Sequence, residues 1–466
     1  MRDLSEQYVD LTSRSSALYE RASRVMPSGN TRHTYFFKPR PFYVKSASGC
    51  KIVDVDGNER YDFVNNMGVL ILGNNHPKVL EAIKTAIEHG IGFGAPTELE
   101  IELAEMMHKA IPCAERVRFT VTGTEATMTA IRAARAYTRK EKIAKFEGHY
   151  HGTHDYAQVS TRPTLGEAGL SSSPSAVPDS MGIPRAVVES MLVLPWNDFH
   201  ACEALIREHR RDLAAVIVDP IANASGVVPP KDGFLKALRE CTEENDVLLY
   251  FDEVLSGFRL AYGGAQEYHG VVPDLATYGK IIGGGFPVGA VVGREDIMQV
   301  FSITSSVEPM VKHYGTFNAH PVTMAAGIAT LKELKPEVYE KLNTFAQRIK
   351  AEIDGTLRDE GVVGHVSVAG SFMYLIHFGI NDITNVRDKM QEDGELAWHF
   401  GLGLVCEGVY LVPAHSSNLS AAFSNDDVSH AISIMKTVLA QMRPLFEKKR
   451  KAKSQELLRS RSSNGL

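Results

Sequence analysis

The alternation of helical segments with short apolar segments between residues 77 and 254 constrains the fold more than any other feature of this sequence. The apolar segments are RVRFTV, KIAKF, SMLVLPW, AAVIVDP and VLLYFDEV, and helical patterns cover residues 77–90, 97–110, 124–139, 199–210 and 232–245. Strands that are apolar on both faces are typical of a parallel sheet that helices cover on both sides. The sequence therefore predicts an α/β fold with a mostly parallel central sheet.

The rest of the chain predicts a second, smaller domain and two terminal segments. We expect an N-terminal segment over 1–65 that is part of the small domain and contains a helix over 4–26 and a small β-hairpin at DVDGN. A large domain over 66–325 follows, and then a smaller α+β domain over 326–445. Helical regions are expected at 321–358 and 425–448, and a disordered basic tail over 446–466. The Ser-, Pro- and Gly-rich stretch 160–184 predicts a long mobile loop, and loops of this length often act as lids.

The bulk properties exclude several classes of function. The net charge is -6 with a pI near 6.3. The chain therefore lacks the excess of basic residues that is typical of nucleic-acid-binding proteins. The sequence contains no run of about 18 apolar residues, which a membrane-spanning helix would need. The N-terminus lacks the apolar core of a signal peptide. The five cysteines are scattered and odd in number, which favours reduced thiols in a cytoplasmic protein.

The stretch EGHYHGTHDY carries three histidines within six residues, and it raises the question of a metal site. His149 and His151 would share one face if the preceding strand continued. Nearby acids and cysteines, however, show none of the spacings that metal ligands need. We therefore expect no metal here, and we expect the histidines to make local hydrogen bonds.

A phosphate site is predicted where the strand RVRFTV runs into TGTEATMTAIRAARAY. Free N–H groups and the dipole at a helix N-terminus favour an anion, and Gly123 permits close approach of the backbone next to Thr124. The stretch contains neither the Walker pattern nor a GxGxxG motif opening a helix. Taken alone, it is equally consistent with a Thr that simply caps the helix.

Three charged residues follow apolar strands at what we expect to be the same edge of the sheet. Asp252 ends VLLYFDEV, Asp219 ends AAVIVDP, and Lys280 lies between a short strand and the glycine-rich turn IIGGGFPVGA. A buried carboxylate needs a partner, either a structural arginine or a positively charged nitrogen of a ligand. Burial lowers the pKa of a lysine and makes its amine nucleophilic, although a snorkelling surface lysine is the alternative for Lys280 considered alone.

These features in combination indicate a pyridoxal-phosphate enzyme. A phosphate cradle, a carboxylate to pair with a pyridinium nitrogen, and an activated lysine are the groups that this cofactor requires. Tyr150 follows KIAKF at the same sheet edge, where its ring can stack on a flat cofactor.

The chain resembles the class III aminotransferases of fold type I, in particular the branch that contains glutamate-1-semialdehyde 2,1-aminomutase and aminotransferases acting on β-amino acids. The resemblance runs from about Tyr8 to Met442. Its stretches are MPSGNTR, IVDVDGNERYDFV, GAPTELEIELAEMM, TGTEATMTAIRAARAYTRKEKIAKFEGHYHG, FDEVLSGFRLAYGGAQEYHG, PDLATYGKIIGGGFPVGA and YGTFNAHP. It implies a large domain with a mostly parallel sheet and a smaller α+β C-terminal domain.

The resemblance also implies roles for the residues around the cofactor ring. Lys280 would form the Schiff base with pyridoxal 5'-phosphate and then act as the general base. Asp252 would keep the pyridine nitrogen protonated, and Asp219 would lie beside the cofactor. Val254 would pack on one face of the ring and Tyr150 on the other.

The remaining roles concern the phosphate and the substrate. By the same resemblance, Gly123 and Thr124 would bind the phosphate, and Thr316 would reach the phosphate of the neighbouring subunit. The resemblance therefore implies a homodimer with a shared active site. Arg32, in GNTR, would bind the substrate carboxylate as a bidentate fork.

The reaction itself is left with several alternatives. The sequence departs from the aminomutase pattern at VTGTEA, NNMGVLILG, GTFNAHP and DPIANASGVVPP, all of which would surround the ring and the substrate. We therefore expect transfer of an amino group from an α- or β-amino acid donor to a keto acid. The alternatives are the aminomutase reaction that gives 5-aminolevulinate, another class III reaction such as racemisation, a non-catalytic cofactor-binding relative, and a non-enzymatic α/β binding module. The intact set Lys280, Asp252, Gly123 and Thr124 argues against the last two.

Overall fold

A computed structural model describes residues 4–303, 310–413 and 415–463. Its strands are β1 (Val44–Ser48), β2 (Lys51–Asp54), β3 (Glu59–Asp62), β4 (Arg116–Thr120), β5 (Lys142–Phe146), β6 (Gly169–Leu170), β7 (Ser173–Pro174), β8 (Met191–Leu194), β9 (Leu213–Val218), β10 (Leu248–Glu253), β11 (Leu275–Gly279), β12 (Gly289–Gly293), β13 (Ser367–Ala369), β14 (Phe372–Tyr374), β15 (Val409–Tyr410) and β16 (Ser417–Asn418).

The α-helices alternate with these strands through the middle of the chain. They are α1 (Leu4–Leu11), α2 (Ser13–Ser23), α3 (Asn65–Gly68), α4 (Pro77–His89), α5 (Glu98–Ala110), α6 (Gly123–Thr138), α7 (Arg185–Glu189), α8 (Phe199–His209), α9 (Phe234–Glu244), α10 (Gly264–His269), α11 (Glu295–Met298), α12 (Pro321–Glu333), α13 (Pro336–Asp359), α14 (Val386–Lys389), α15 (Gly394–Glu407), α16 (Asn425–Gln441) and α17 (Arg443–Ser463). None of the described helices is both long enough and apolar enough to cross a membrane.

The central sheet has seven strands in the order β4-β12-β11-β10-β9-β5-β8. Strand β12 pairs antiparallel with both of its neighbours, and the other pairs are parallel. This confirms the predicted α/β fold with a mostly parallel sheet. Every residue of β9 and β10 is buried, as the unbroken apolar runs predict. Because parallel strands end at one edge, residues just after β5, β9, β10 and β11 gather there.

The N-terminal and C-terminal parts of the chain share a second sheet. Strands β1, β2, β3 and β15 form it, with the predicted hairpin at β2–β3 and a parallel pairing of β3 with β15. A third sheet contains β13, β14 and β16. Strand β3 of the N-terminal segment thus pairs with β15 near the C-terminus, and the predicted domain assignments stay predictions.

Two predicted helical regions and the predicted tail differ from the structure. The helix expected over 4–26 is interrupted at Thr12, whose φ of -129° and ψ of 43° are not helical. The region 321–358 divides into α12 and α13 because Pro336 begins a new helix. The segment predicted as a disordered tail is largely helical, since α17 extends to Ser463, and Phe446 is buried against the core.

The predicted loop 160–184 contains a short antiparallel pair, β6 with β7. Its first residues are joined to the end of β5, because Gly148 N–H donates to the carbonyl of Ser160 over 2.9 Å. The loop is therefore attached directly to the segment that carries Tyr150.

Candidate active site

Asp252 lies near the carboxyl end of β10 and is almost fully buried, with 7% of its surface exposed. Its Oδ2 accepts a hydrogen bond from Nδ1 of His151 over 2.8 Å. Its Oδ1 accepts from the Thr277 hydroxyl and from the Val254 N–H, both over 3.1 Å. Burial lowers the pKa of His151, so the imidazole is neutral at physiological pH and donates without neutralising the carboxylate. Three donors thus hold Asp252 in one orientation.

Lys280 follows β11 directly, and its backbone is in the left-handed region with φ of 51°. A residue with a Cβ adopts this conformation at a cost, and such strain concentrates at functional sites. Burial lowers the pKa of Lys280, against the opposing charges of Asp252 and Asp219. The side chain therefore offers a neutral amine more readily than an exposed lysine does.

Asp219 follows β9, and the pKa of its carboxyl group is raised. Its carboxylate accepts the N–H groups of Ile221 over 3.1 Å and Asn223 over 2.8 Å. The charge of Lys280 lowers the pKa of this carboxylate, but the effect of burial is larger. Burial raises the pKa of Asp219 to about 7, and the charge of Asp252 acts in the same direction. Asp219 is therefore partly protonated at neutral pH.

The N-terminus of α6 lies at Gly123 and Thr124, where the sequence predicts a phosphate site. Thr122 caps the helix, since its Oγ1 accepts the Glu125 N–H over 3.0 Å. The first N–H groups of a helix have no acceptor within the helix and attract an anion. A Cβ at Gly123 would lie 2.6 Å from Cγ1 of Val254, so only glycine lets Val254 pack against this turn.

The three histidines of GHYHGTHDY have separate roles. Nδ1 of His149 accepts the Asp219 N–H over 3.2 Å, and the ring packs in edge contact with Trp196. His151 holds Asp252, and Nε2 of His154 lies 3.1 Å from the Thr127 hydroxyl. Among the described residues no group of three or more His, Cys, Asp or Glu side chains has the arrangement of a metal site.

Tyr150 lies half exposed in the same turn, between the two buried histidines. Burial raises the pKa of its phenol, and the charge of Asp252 adds to this effect. The ring of Tyr150 is therefore open enough to contact a bound ligand.

Two predicted site residues are not in contact with this cluster. Arg32 lines a cavity of about 380 Å³, where Nη1 donates to Oδ1 of Asn66 over 3.1 Å and the guanidinium lies 4.2 Å from the centre of the Tyr35 ring. Thr316 lies in an exposed turn. Its predicted contact with the phosphate of a neighbouring subunit stays a prediction.

Sequence reasoning missed two partners in the site. Thr277 was not singled out, although it lies directly opposite Asp252 in the parallel register of β10 and β11. His151 was expected only to make local hydrogen bonds, whereas it reaches across the sheet edge to Asp252. The polar Thr in the apolar strand LATYG was the available signal, but strand register is not readable from one chain segment.

The arrangement fits pyridoxal 5'-phosphate. A half-buried lysine with a lowered pKa, a buried carboxylate fixed by three donors, and a helix N-terminus next to Val254 are brought to one edge of the sheet. These are a group that can bond to an aldehyde, a partner for a protonated ring nitrogen, and a cradle for a phosphate.

Comparison with known proteins agrees with this geometry. The family model described as aminotransferase class III matches residues 37–439. Glutamate-1-semialdehyde 2,1-aminomutase of Ignicoccus hospitalis is 44% identical over 432 residues, which cover 91% of this chain and 99% of that protein.

Two solved structures extend the comparison. An omega-transaminase from Sphaerobacter thermophilus is 42% identical with a TM-score of 0.88, covering 92% of this chain and 98% of that one. A β-phenylalanine aminotransferase from Variovorax paradoxus is 32% identical with a TM-score of 0.85, covering 95% and 97%. Matched structures also include a transaminase that holds the cofactor. The chain therefore belongs to the class III aminotransferases, and it is an enzyme that depends on pyridoxal 5'-phosphate.

Proposed function

We propose that this enzyme transfers an amino group from a carboxylate-bearing amine, an α- or β-amino acid, to a keto acid. The observation that carries the proposal is the meeting of Lys280, Asp252 and the N-terminus of α6 at one sheet edge, with Tyr150 beside them. The similarity to an omega-transaminase and to a β-phenylalanine aminotransferase supports transfer between two molecules.

Each residue of the site has a distinct task in this proposal. When bound, the cofactor supplies an electron sink for negative charge at the carbon that bears the amine. Nζ of Lys280 removes the proton from that carbon and returns a proton in the second half of the step, which its lowered pKa favours. Asp252, fixed by His151 and Thr277, presents a carboxylate to the protonated ring nitrogen.

The other residues bind and orient. Gly123 and Thr124 hold the phosphate with the first N–H groups of α6, and Val254 and Tyr150 pack on the two faces of the ring. Asp219 lies near the ring as a partly protonated acid. Arg32 binds the donor carboxylate, and its exposure at the wall of a cavity of about 380 Å³ leaves the guanidinium accessible to a small molecule.

The homodimer and the cytoplasmic location are part of the same proposal. The turn that carries Thr316 exposes two aromatic side chains, Tyr314 at 79% and Phe317 at 63%. Large apolar side chains grouped at a surface favour a protein interface there. A second copy of the chain would cover them and bring Thr316 to the partner's phosphate site.

The aminomutase reaction is the second candidate. It is favoured by the 44% identity to glutamate-1-semialdehyde 2,1-aminomutase over almost the whole length of both chains. It uses the same lysine and cofactor, but the amino group returns to the molecule that gave it.

Absorption spectroscopy of the cofactor-loaded enzyme separates the two reactions. Amino acids, simple amines and glutamate-1-semialdehyde are added one at a time without a keto acid. We expect an α- or β-amino acid to remove the long-wavelength band of the bound cofactor and to leave a keto product. A response only to the semialdehyde, with 5-aminolevulinate as product, would overturn the first proposal in favour of the second.

A further inference from the structure

Arg387 connects three separate parts of the chain through one guanidinium group. Its Nε and Nη2 donate to the two carboxylate oxygens of Glu147 over 2.7 and 2.9 Å. Its Nη1 donates to the carbonyl of Gly169 over 2.9 Å, and its Nη2 to the carbonyls of Ala168 and Leu170 over 2.9 and 3.2 Å. All three guanidinium nitrogens are therefore engaged with the end of β5 and with the middle of the loop 160–184.

The backbone of Arg387 is hydrogen-bonded at the start of α14. Helix α14 begins at a capping box, in which the Asn385 side chain accepts the N–H groups of Arg387 and Asp388, and the Asp388 side chain accepts the N–H of Asn385. A short helix with a complete capping box fixes the direction of its first side chains. The backbone of Arg387 therefore belongs to α14, while its side chain reaches the loop.

Helix α14 also packs directly on the turn that leads to Tyr150. Gly148 has φ of +84°, and a Cβ at this position would lie 2.5 Å from Cβ of Val386 and 2.4 Å from Oγ of Ser225. Glu147, the residue before Gly148, is nearly buried, with 5% of its side chain exposed. The ion pair and this close contact fix the same segment, residues 147–148, from the side of α14.

The beginning of the loop 160–184 is attached to that segment independently. Buried Lys145 donates from Nζ to the carbonyls of Ala157 and Val159, the former over 3.1 Å. The Thr161 hydroxyl donates to the carbonyl of His149 over 3.3 Å. The loop therefore meets the cofactor segment at its start and meets Arg387 at its middle.

We propose that Arg387 is a positioning residue that joins helix α14, the loop 160–184 and the segment 147–151 into one unit. This proposal rests on the proposed function, because the unit contains Tyr150 and His151 and would thereby govern how firmly the cofactor ring and the donor are held. The Arg387 guanidinium, with 19% of its side chain exposed, contacts five acceptors in the other two parts, and these charge-assisted contacts favour docking of all three parts together. Lysine cannot reproduce this arrangement, because its ammonium lacks the planar fork.

Backbone hydrogen exchange of the cofactor-loaded enzyme tests the proposal with Arg387→Ala, Arg387→Lys and a control, Arg185→Ala. Arg185 is a paired but 91% exposed arginine in α7, just after the same loop. We expect Arg387→Ala to speed exchange at least about tenfold in both 165–175 and 146–151, since charged hydrogen bonds of this kind shift a local opening equilibrium by that factor or more. Arg387→Lys is expected to restore part of the protection, and Arg185→Ala to leave both segments unchanged.

Two results would overturn the proposal. One is wild-type exchange in both segments of a folded Arg387→Ala protein, and the other is faster exchange in 165–175 alone, which would reduce Arg387 to a local contact of the loop. If Arg387→Ala does not fold, Glu147→Gln provides the same comparison, because it removes the charge pair and keeps an acceptor of similar shape. Its expected result is faster exchange in both segments, to a smaller degree.

Kinetics distinguish this proposal from the proposed function. In the half-reaction with an amino acid donor, Arg387→Ala is expected to lower kcat/KM about tenfold or more, as displacement of a positioning element does. A wild-type enzyme that transfers no amino group to a keto acid would overturn the proposed function. The exchange results would still decide the role of Arg387, because they need only the bound cofactor.

Discussion

Nδ1 of His151 lies 2.8 Å from Oδ2 of Asp252, and both side chains are almost completely buried, at 1% and 7% exposure. Two residues about a hundred positions apart in the chain meet here because β5 and β10 end at the same edge of the sheet. Burial lowers the pKa of His151, so it donates as a neutral imidazole. Nε2 of His151 has no hydrogen-bond partner among the described residues, which leaves Asp252 as its one strong contact.

Replacement of His151 tests this contact. His151→Phe removes a donor to Asp252, and we expect kcat to fall by about 10- to 100-fold, the usual effect of losing a hydrogen bond to a charged group. His151→Asn, whose amide can donate from a similar position, is expected to retain more activity. The pH dependence of the cofactor's absorption should shift in the Phe variant, and His200→Asn, at an exposed histidine, is the control. Equal activity of all three variants would contradict a role for His151 through Asp252.

Lys280 is expected to be essential for turnover and dispensable for cofactor binding. Lys280→Ala removes the amine that moves the proton, so the rate should fall at least about a thousandfold, while the cradle at α6 still holds the phosphate. Steady-state kinetics and cofactor fluorescence after gel filtration measure the two properties separately. Lys236→Ala, at an exposed lysine of α9, is the control. An active Lys280→Ala enzyme would remove Lys280 from the mechanism.

The raised pKa of Asp219 predicts a pH dependence of stability. Burial raises this pKa from 3.8 to about 7 in the folded protein, so the folded state binds the proton more tightly than the unfolded state does. The stability that this proton confers is complete below about pH 4 and is lost as the pH rises toward 7. Between pH 5 and pH 8, the wild type should therefore lose about 3 kcal/mol more of its unfolding free energy than Asp219→Asn does. Urea denaturation of the cofactor-free proteins at both pH values measures the difference, and parallel curves would refute the assignment.

We expect glycine to be required at position 123 because there is no space for a Cβ, and not because the backbone conformation demands glycine. Gly123→Ala would place a Cβ 2.6 Å from Cγ1 of Val254, and such overpacking costs about 1–3 kcal/mol. We expect weaker cofactor binding and a lower melting temperature. The double variant with Val254→Ala removes the clash, so its stability loss should be smaller than the sum of the two single losses. Additive losses would mean that the contact between Gly123 and Val254 is not what requires glycine.

Arg32 is expected to discriminate between donors by their carboxylate. Arg32→Ala should raise KM about tenfold or more for amino acid donors, because a charge-assisted pair is lost, and should leave simple amines little affected. Asn66→Ala, which removes the side chain that Arg32 contacts over 3.1 Å, is expected to have a smaller effect of the same sign. An equal rise in KM for both classes of donor would place Arg32 outside the carboxylate site.

The fold was predictable from local patterns because burial acts on every residue of a strand. The five apolar runs became β4, β5, β8, β9 and β10, and the five helical patterns became helices with nearly the predicted bounds. Strand β12 was missed, since a glycine-flanked GAVVG has little local signal and owes its place to pairing with β4 and β11. The tail was predicted as disordered from its charge, yet α17 continues the C-terminal helical region and buries Phe446.

The sequence by itself determined which groups are available to the chemistry: a lysine among glycines, two acids after apolar strands, and a glycine that opens a helix. Those signals are local, because a buried strand and the start of a helix each restrict which residue types can occupy consecutive positions. Only the tertiary structure decided which side chains form hydrogen bonds with each other. The contacts of His151 with Asp252, Thr277 with Asp252 and Arg387 with Glu147 join residues from 25 to 240 positions apart. Such contacts depend on strand order and register, which arise from the packing of the whole chain.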